Sequence, residues 1–155
     1  MYKYLRGIVA GTSGLQRLFP ALVGVLALLP SQAQPANVDV SIAGIHSSKG
    51  RVLCRLFTAE SRFPREGEVQ SLAVPITAGA SLCTFVEVPA GTYAVAIAHD
   101  TNDNGRLDQN FLGLPLEGFG FSRNVKPRFG PPRFSKAAIQ VPETGATISL
   151  TMQYR

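Results

Sequence analysis

Between residues 38 and 154, apolar side chains recur at every second position in short runs, and Gly- or Pro-containing turns break the runs. Successive side chains of a strand point to opposite faces, so this period marks half-buried strands. Val38 to Ile45, Arg51 to Thr58, Ser71 to Thr77, Ser81 to Val88, Thr92 to His99, Ala137 to Val141 and Ala146 to Tyr154 all carry it. If Arg55 faces water, Val52, Cys54 and Leu56 face the core. Pro75 removes a ladder donor and sends Ser71 to Thr77 to a sheet edge. In Thr92 to His99, Tyr93, Val95 and Ile97 share one face, while Ala94, Ala96 and Ala98 share the other. A face of alanines calls for a second layer at close range. No stretch shows an apolar repeat of helical period. The expected fold is all-β: a single β-sandwich of about seven strands over residues 34–155. Ala59 to Gln70, polar and containing Phe63-Pro64, reads as a long loop. Asp100 to Pro132 is too long for a connector, which defines an ordered insertion, 100–134, holding turns and at most one short strand.

The N-terminus follows a different pattern. Met1 to Arg17 carries Lys3, Arg6 and Arg17 and no acid. Leu18 to Pro30 is apolar and uncharged, and Ser31-Gln32-Ala33 puts small residues at −3 and −1 of a cut before Gln34. That order is a signal peptide, 1–33, with a helical apolar segment. The apolar run has 13 residues, whereas a membrane span needs roughly 20. No transmembrane anchor is expected after cleavage, the alternatives being an uncleaved anchor and a buried helix. The expected location is periplasmic or secreted. Without the leader, 12 basic residues stand against 10 acidic ones, and the net charge falls from +5 to +2. A nucleic-acid partner is not indicated.

Export puts Cys54 and Cys83 in an oxidising compartment. Both lie in strand-like segments, and a disulfide between them closes a loop of about 30 residues, contributing roughly 2–4 kcal/mol. Two buried thiols are the alternative. The spacing is not that of a redox CxxC pair or a zinc site.

The most chemically informative segment runs from Asp100 to Asp108. Asp100, Asn102, Asn104 and Asp108 fall at positions 1, 3, 5 and 9 of a calcium loop, with Gly105 at position 6. Alternate side chains of such a curled loop point at one ion, Gly permits the sharp turn, and the carbonyl of Arg106 supplies position 7. Position 12 is Phe111 instead of a bidentate Glu, and the preceding segment is a strand, not a helix. Glu117 is the nearest residue that supplies a last carboxylate. The alternative is an Asx-rich turn whose side chains bond their own backbone.

These residues belong to a longer series: His99-Asp100, Asn102, Asn104-Gly105 and Leu107-Asp108, then Phe111-Leu112-Gly113, Pro115, Glu117-Gly118 and Gly120-Phe121-Ser122. Pro89-Ala90-Gly91-Thr92-Tyr93-Ala94 precedes them, and Phe129-Gly130-Pro131-Pro132 with Phe134 follows. From Val38 to Tyr154 the chain resembles a family of exported bacterial proteins, domain of unknown function 2141. The resemblance implies export and a sandwich similar to transthyretin-like and carboxypeptidase-regulatory-like modules around Phe85 to Ala96, or immunoglobulin-like in its general build. It implies no established activity. Arg123 departs from the family pattern, in which Asn commonly follows Ser122.

The remaining candidates have modest readings. His99 and Asp100 are adjacent on a strand and point to opposite faces, so they do not pair as an acid-base couple. A structural His99 is preferred over a catalytic one with Asp108 or Glu117 as its partner. His46 sits in a turn, where an exposed, inert role is expected. Ser122 lacks the G-x-S-x-G elbow of a nucleophile. Arg123, Lys126, Arg128, Arg133 and Lys136 form a basic stretch, and Phe129 and Phe134 within it are expected to pin it to the sandwich. Phe111, Leu112, Leu114, Leu116, Phe119 and Phe121 are expected to fold back as a lid, because their joint exposure would leave a large apolar patch, the alternative being a binding surface. The preferred function is a non-catalytic binding or accessory module, monomeric, with an unknown ligand or envelope protein as partner and calcium in the loop. The alternatives are a periplasmic hydrolase using His99 and nearby acids, and an envelope structural or assembly protein.

Overall fold

A computed structural model of the chain describes residues 36–155. The expected signal peptide and its cut lie outside the described residues. Eight strands follow in order: β1 (Ala36–Ala43), β2 (Arg51–Arg62), β3 (Glu66–Val74), β4 (Ser81–Val88), β5 (Gly91–Asp100), β6 (Phe119–Phe121), β7 (Ile139–Val141) and β8 (Ala146–Thr151). A 3-10 turn (Ser122–Asn124) follows β6, and a four-residue helix α1 (Phe134–Ala137) precedes β7.

The strands form two sheets. The smaller has the order β4-β1-β8, with β1 and β8 parallel. The larger has the order β3-β2-β5-β6, and β7 also pairs with β5. Inner-face residues of both sheets make the main core: Val38, Val40 and Ile42 from β1, Phe85 from β4, and Val52 and Leu56 from β2 are essentially inaccessible. Tyr93, Val95 and Ile97 of β5 join them, as the alternation requires. The disulfide Cys54–Cys83 spans this core from β2 to β4, one strand in each sheet, with its Cα atoms 6.5 Å apart. The all-β sandwich expected from the sequence is therefore observed.

Three local expectations need correction. Ala59 to Gln70 is not a loop: β2 continues to Arg62 and returns as β3 in an antiparallel hairpin. An edge strand buries only alternate residues, which makes its sequence look like a polar loop. Phe63 pins the hairpin turn by edge-on packing against Phe57, Phe121 and Phe134. Pro75 lies just after β3, not inside it, and β3 does occupy a sheet edge. Ala137 closes α1 instead of opening the strand that follows.

The alanine face of β5 meets the second layer it calls for. Ala94, Phe119, Phe121 and Ala137 form a smaller buried cluster on the outer side of the larger sheet, with Phe63, Leu107, Val125 and Phe134 packed against it. The insertion thus lies on that outer face. Phe119 also exchanges backbone hydrogen bonds with Gln153 (2.9 and 2.8 Å), so β6 ties the larger sheet to the segment that follows β8. Among the described residues, no helix is long and apolar enough to cross a membrane.

Candidate functional site

The insertion leaves the sheet at the end of β5, and Asp100 sets its path. The Asp100 carboxylate is wholly buried. Its Oδ1 accepts the Asn104 N–H (3.0 Å) and its Oδ2 accepts the Gly105 N–H (2.7 Å). Both bonds curl the chain, and Gly105 takes φ +78°, a left-handed conformation that glycine adopts without steric cost. Asn102 Oδ1 also accepts the Asn104 N–H, and Asn104 Oδ1 accepts the Arg106 N–H. These are Asx turns. The side-chain amides of Asn102 and Asn104 donate to the two oxygens of Asp108 (2.8 and 2.9 Å). The Asn104 amide, then the Asn102 amide, hold the Asp108 carboxyl below its ordinary value, with the Arg106 charge adding to the effect.

Glu117 closes the loop. Its Oε1 accepts from the Thr101 N–H (2.8 Å) and hydroxyl (2.6 Å), and its Oε2 from the Asp108 N–H (3.0 Å). The loop is also fastened to β2: Arg51 Nε donates to Asp103 Oδ1 at 2.5 Å, and Arg55 donates to the Gly105 carbonyl at 3.3 Å. Asp100, Asn102, Asn104, Asp108 and Glu117 therefore all enter one network, and Arg106 joins it through its side chain, 3.4 Å from Asp108. In this arrangement the oxygens serve chain donors. Among the described residues, no group of three or more His, Cys, Asp or Glu side chains is placed to hold a metal ion.

His99 is enclosed. Its side chain is 1 % exposed. Nε2 lies 2.9 Å from the Lys49 carbonyl and Nδ1 lies 2.8 Å from the Tyr154 hydroxyl. A carbonyl only accepts, so Nε2 donates to it, and in that tautomer Nδ1 accepts from the Tyr154 O–H. Burial pushes the Tyr154 phenol up, partly opposed by the His46 N–H that it accepts. Both ring nitrogens of His99 are thus spent on structure. His46 is not an inert turn residue either, since its ring stacks on Tyr154 with centroids 3.8 Å apart.

Two polar residues seat the second half of the insertion. On one edge of β5, β7 pairs with Gly91–Tyr93 and β6 with Ala96–Ala98. The Val95 N–H falls between them and donates to Ser122 Oγ (2.9 Å), which donates in turn to the Ala137 carbonyl (2.5 Å). Asn124 binds β8 like a short strand, accepting the Thr151 N–H (2.8 Å) and donating to the Ser149 carbonyl (3.2 Å). Between them Arg123 takes φ +63°, a left-handed conformation that Asn or Gly tolerates better than Arg.

Between the insertion and the sheet lies a cavity of about 310 Å³. Strand register builds its floor. Leu53, Ala98 and Phe119 stand side by side across β2, β5 and β6, and in the next row so do Arg55, Ala96 and Phe121. The two alanines leave the space that larger side chains would fill. Its lining includes Arg55, Arg65, Arg106 and Arg155 and no Asp or Glu. Leu114 and Pro131 line it from two different parts of the insertion.

The lid expectation holds for Phe119 and Phe121, which are buried, and fails for the hairpin before them. Asn110 Oδ1 accepts the Leu112 and Leu114 N–H groups and forms a tight turn that carries Phe111 outward, 94 % exposed, with Leu112 and Leu116 also exposed. Phe134 pins the basic stretch as expected, but Phe129 is 100 % exposed. Neither the cavity nor the Tyr154 partner of His99 follows from the local sequence pattern. One available signal was the pairing of an alanine face on β5 with the outward Leu53 and Arg55 of β2.

Together these features define a class: a two-sheet β-sandwich whose long insertion, wound on Asx turns, covers part of the larger sheet. The chain belongs to the family described as uncharacterized protein conserved in bacteria (DUF2141), whose profile matches residues 40–149. No curated protein and no solved structure matches the chain.

Proposed function

We propose that residues 34–155 form an exported, non-catalytic binding module, periplasmic or secreted and monomeric, that holds a small ligand between the larger sheet and the insertion. The observation that carries this reading is the cavity of about 310 Å³ with its apolar floor of Leu53, Ala96, Ala98, Phe119 and Phe121. Ligand sites are typically concave, mostly apolar spaces of about 300–1,000 Å³ with a few polar groups at fixed points. Export is supported by the leader pattern of residues 1–33 and by the disulfide, which suits an oxidising compartment. A hydrolase built on His99 finds little support, because the ring is buried with both nitrogens bonded.

The test is a thermal-shift screen of small molecules against the wild type and Ala96→Leu, which fills the floor. Hits that stabilise the wild type and lose their effect in a folded Ala96→Leu variant are expected. Hits that bind both alike would remove the cavity from the proposal.

A second reading keeps calcium at the Asx loop. It is favoured by the two buried carboxylates, Asp100 and Glu117, neither of which forms an ion pair among the described residues. A cation would reinforce order that the loop already has from its own hydrogen bonds. Melting temperature should then rise with millimolar calcium and fall back with chelator. A flat response would end this reading.

A further inference from the structure

The charge of the cavity wall narrows the ligand class, provided that the cavity is a binding site as proposed above. Four arginines line the space, and no Asp or Glu does. Two of the four have outside partners: Arg55 lies 3.7 Å from Glu68 and Arg106 lies 3.4 Å from Asp108. Arg65 and Arg155 form no ion pair among the described residues. Both are exposed and hydrated, so an anion can take the place of that water, and a cation would be repelled. The guanidinium fork presents paired N–H donors that match a carboxylate or phosphate.

The floor asks for something else. Leu53, Ala98 and Phe119 offer a strip of carbon with no hydrogen-bonding side chain. Exposed apolar residues also neighbour the lining along the chain. Phe111 and Leu112 ride on the hairpin whose Gly113, Leu114 and Pro115 line the cavity, and Phe129 directly precedes Gly130 and Pro131 of the wall.

We infer that the cavity takes an anionic amphiphile, with its apolar body along the alanine floor and its head on the wall arginines. Carboxylate and phosphate heads share this chemistry. Isothermal titration separates them, using dodecanoate, dodecyl phosphate, dodecyl maltoside and dodecyltrimethylammonium below their micelle concentrations. The anions are expected to bind at least about tenfold tighter than the maltoside, and the ammonium more weakly than any. Binding of the anions should weaken with added salt. Dodecanoate against dodecyl phosphate ranks the two heads.

Arg65→Gln combined with Arg155→Gln is expected to cost about tenfold in anion affinity and to leave the maltoside unchanged. Ala96→Leu, or Leu114→Gln if that variant folds poorly, should weaken every amphiphile. Equal binding of anion and maltoside, or no effect of the double substitution, overturns the anionic inference and leaves the cavity reading intact. If no amphiphile binds while the thermal-shift screen yields a ligand sensitive to Ala96→Leu, the amphiphile class is wrong and the cavity stands. If both experiments are empty, both readings fall.

Discussion

The two faces of β5 are packed by different means. Inward, Tyr93, Val95 and Ile97 meet an apolar core shared by every long strand and crossed by a disulfide. Outward, Ala94, Ala96 and Ala98 meet an insertion whose course depends on a few polar side chains: Asp100, Glu117, Ser122 and Asn124. The inner face is held by burial spread over many residues. On the outer face each polar side chain answers particular backbone groups. The contrast suits a scaffold that stays fixed beside a surface that leaves room for a ligand.

The largest effect should come from the inner face. Phe85 is fully buried, and Phe85→Ala should cost about 3–5 kcal/mol in denaturant unfolding, with core and insertion lost together. A cost well below that range would mean that the inner face is no better packed than the outer.

Asp100→Ala should act locally. It leaves the Gly105 N–H without its acceptor and the Asn104 N–H with Asn102 Oδ1 alone, a penalty of about 1–3 kcal/mol. Hydrogen exchange should quicken across 101–117 while β1 and β8 keep their protection. Equal acceleration in both regions would erase the distinction between them.

Arg123→Gly should stabilise the protein by about 0.5–1 kcal/mol, because the φ of +63° no longer opposes a Cβ. A small rise in melting temperature is expected, and a fall would show that the Arg123 side chain contributes contacts worth more than the relief.

The smallest effect concerns acid. Asp108 has a folded pKa below its unfolded value near 3.8. Its contribution is therefore present above pH 3.8, and is lost as pH falls through the lower folded value. A titration of the Asp108 carboxyl carbon by NMR should show a depressed midpoint in the wild type, and a midpoint closer to the ordinary value when Asn104→Ala removes the larger donor.

The inner face was legible because alternation is a local signal: Val52, Cys54 and Leu56 announce their side within seven residues. The Asx loop was legible for the same reason, and its spaced oxygens do come together in one network. The hairpin at 59–70 was not, since an edge strand and a polar loop share a composition. Nor was the cavity, because Leu53, Ala98 and Phe119 become neighbours only through the registers of β2 with β5 and of β5 with β6. Leu112 and Phe121 look alike in sequence. A hydrogen-bonded turn at Asn110 exposes the first, while pairing with Ala96 buries the second.

The most direct measurement is methyl-labelled NMR during a titration with dodecanoate. The methyls of Leu53, Ala96, Ala98 and Leu114 should shift with a common saturation curve, while those of Val38, Val40 and Ile42 in the inner core stay in place. Saturable shifts confined to the smaller sheet, or none near Ala96 at concentrations where the ligand binds, would contradict a binding site beneath the insertion.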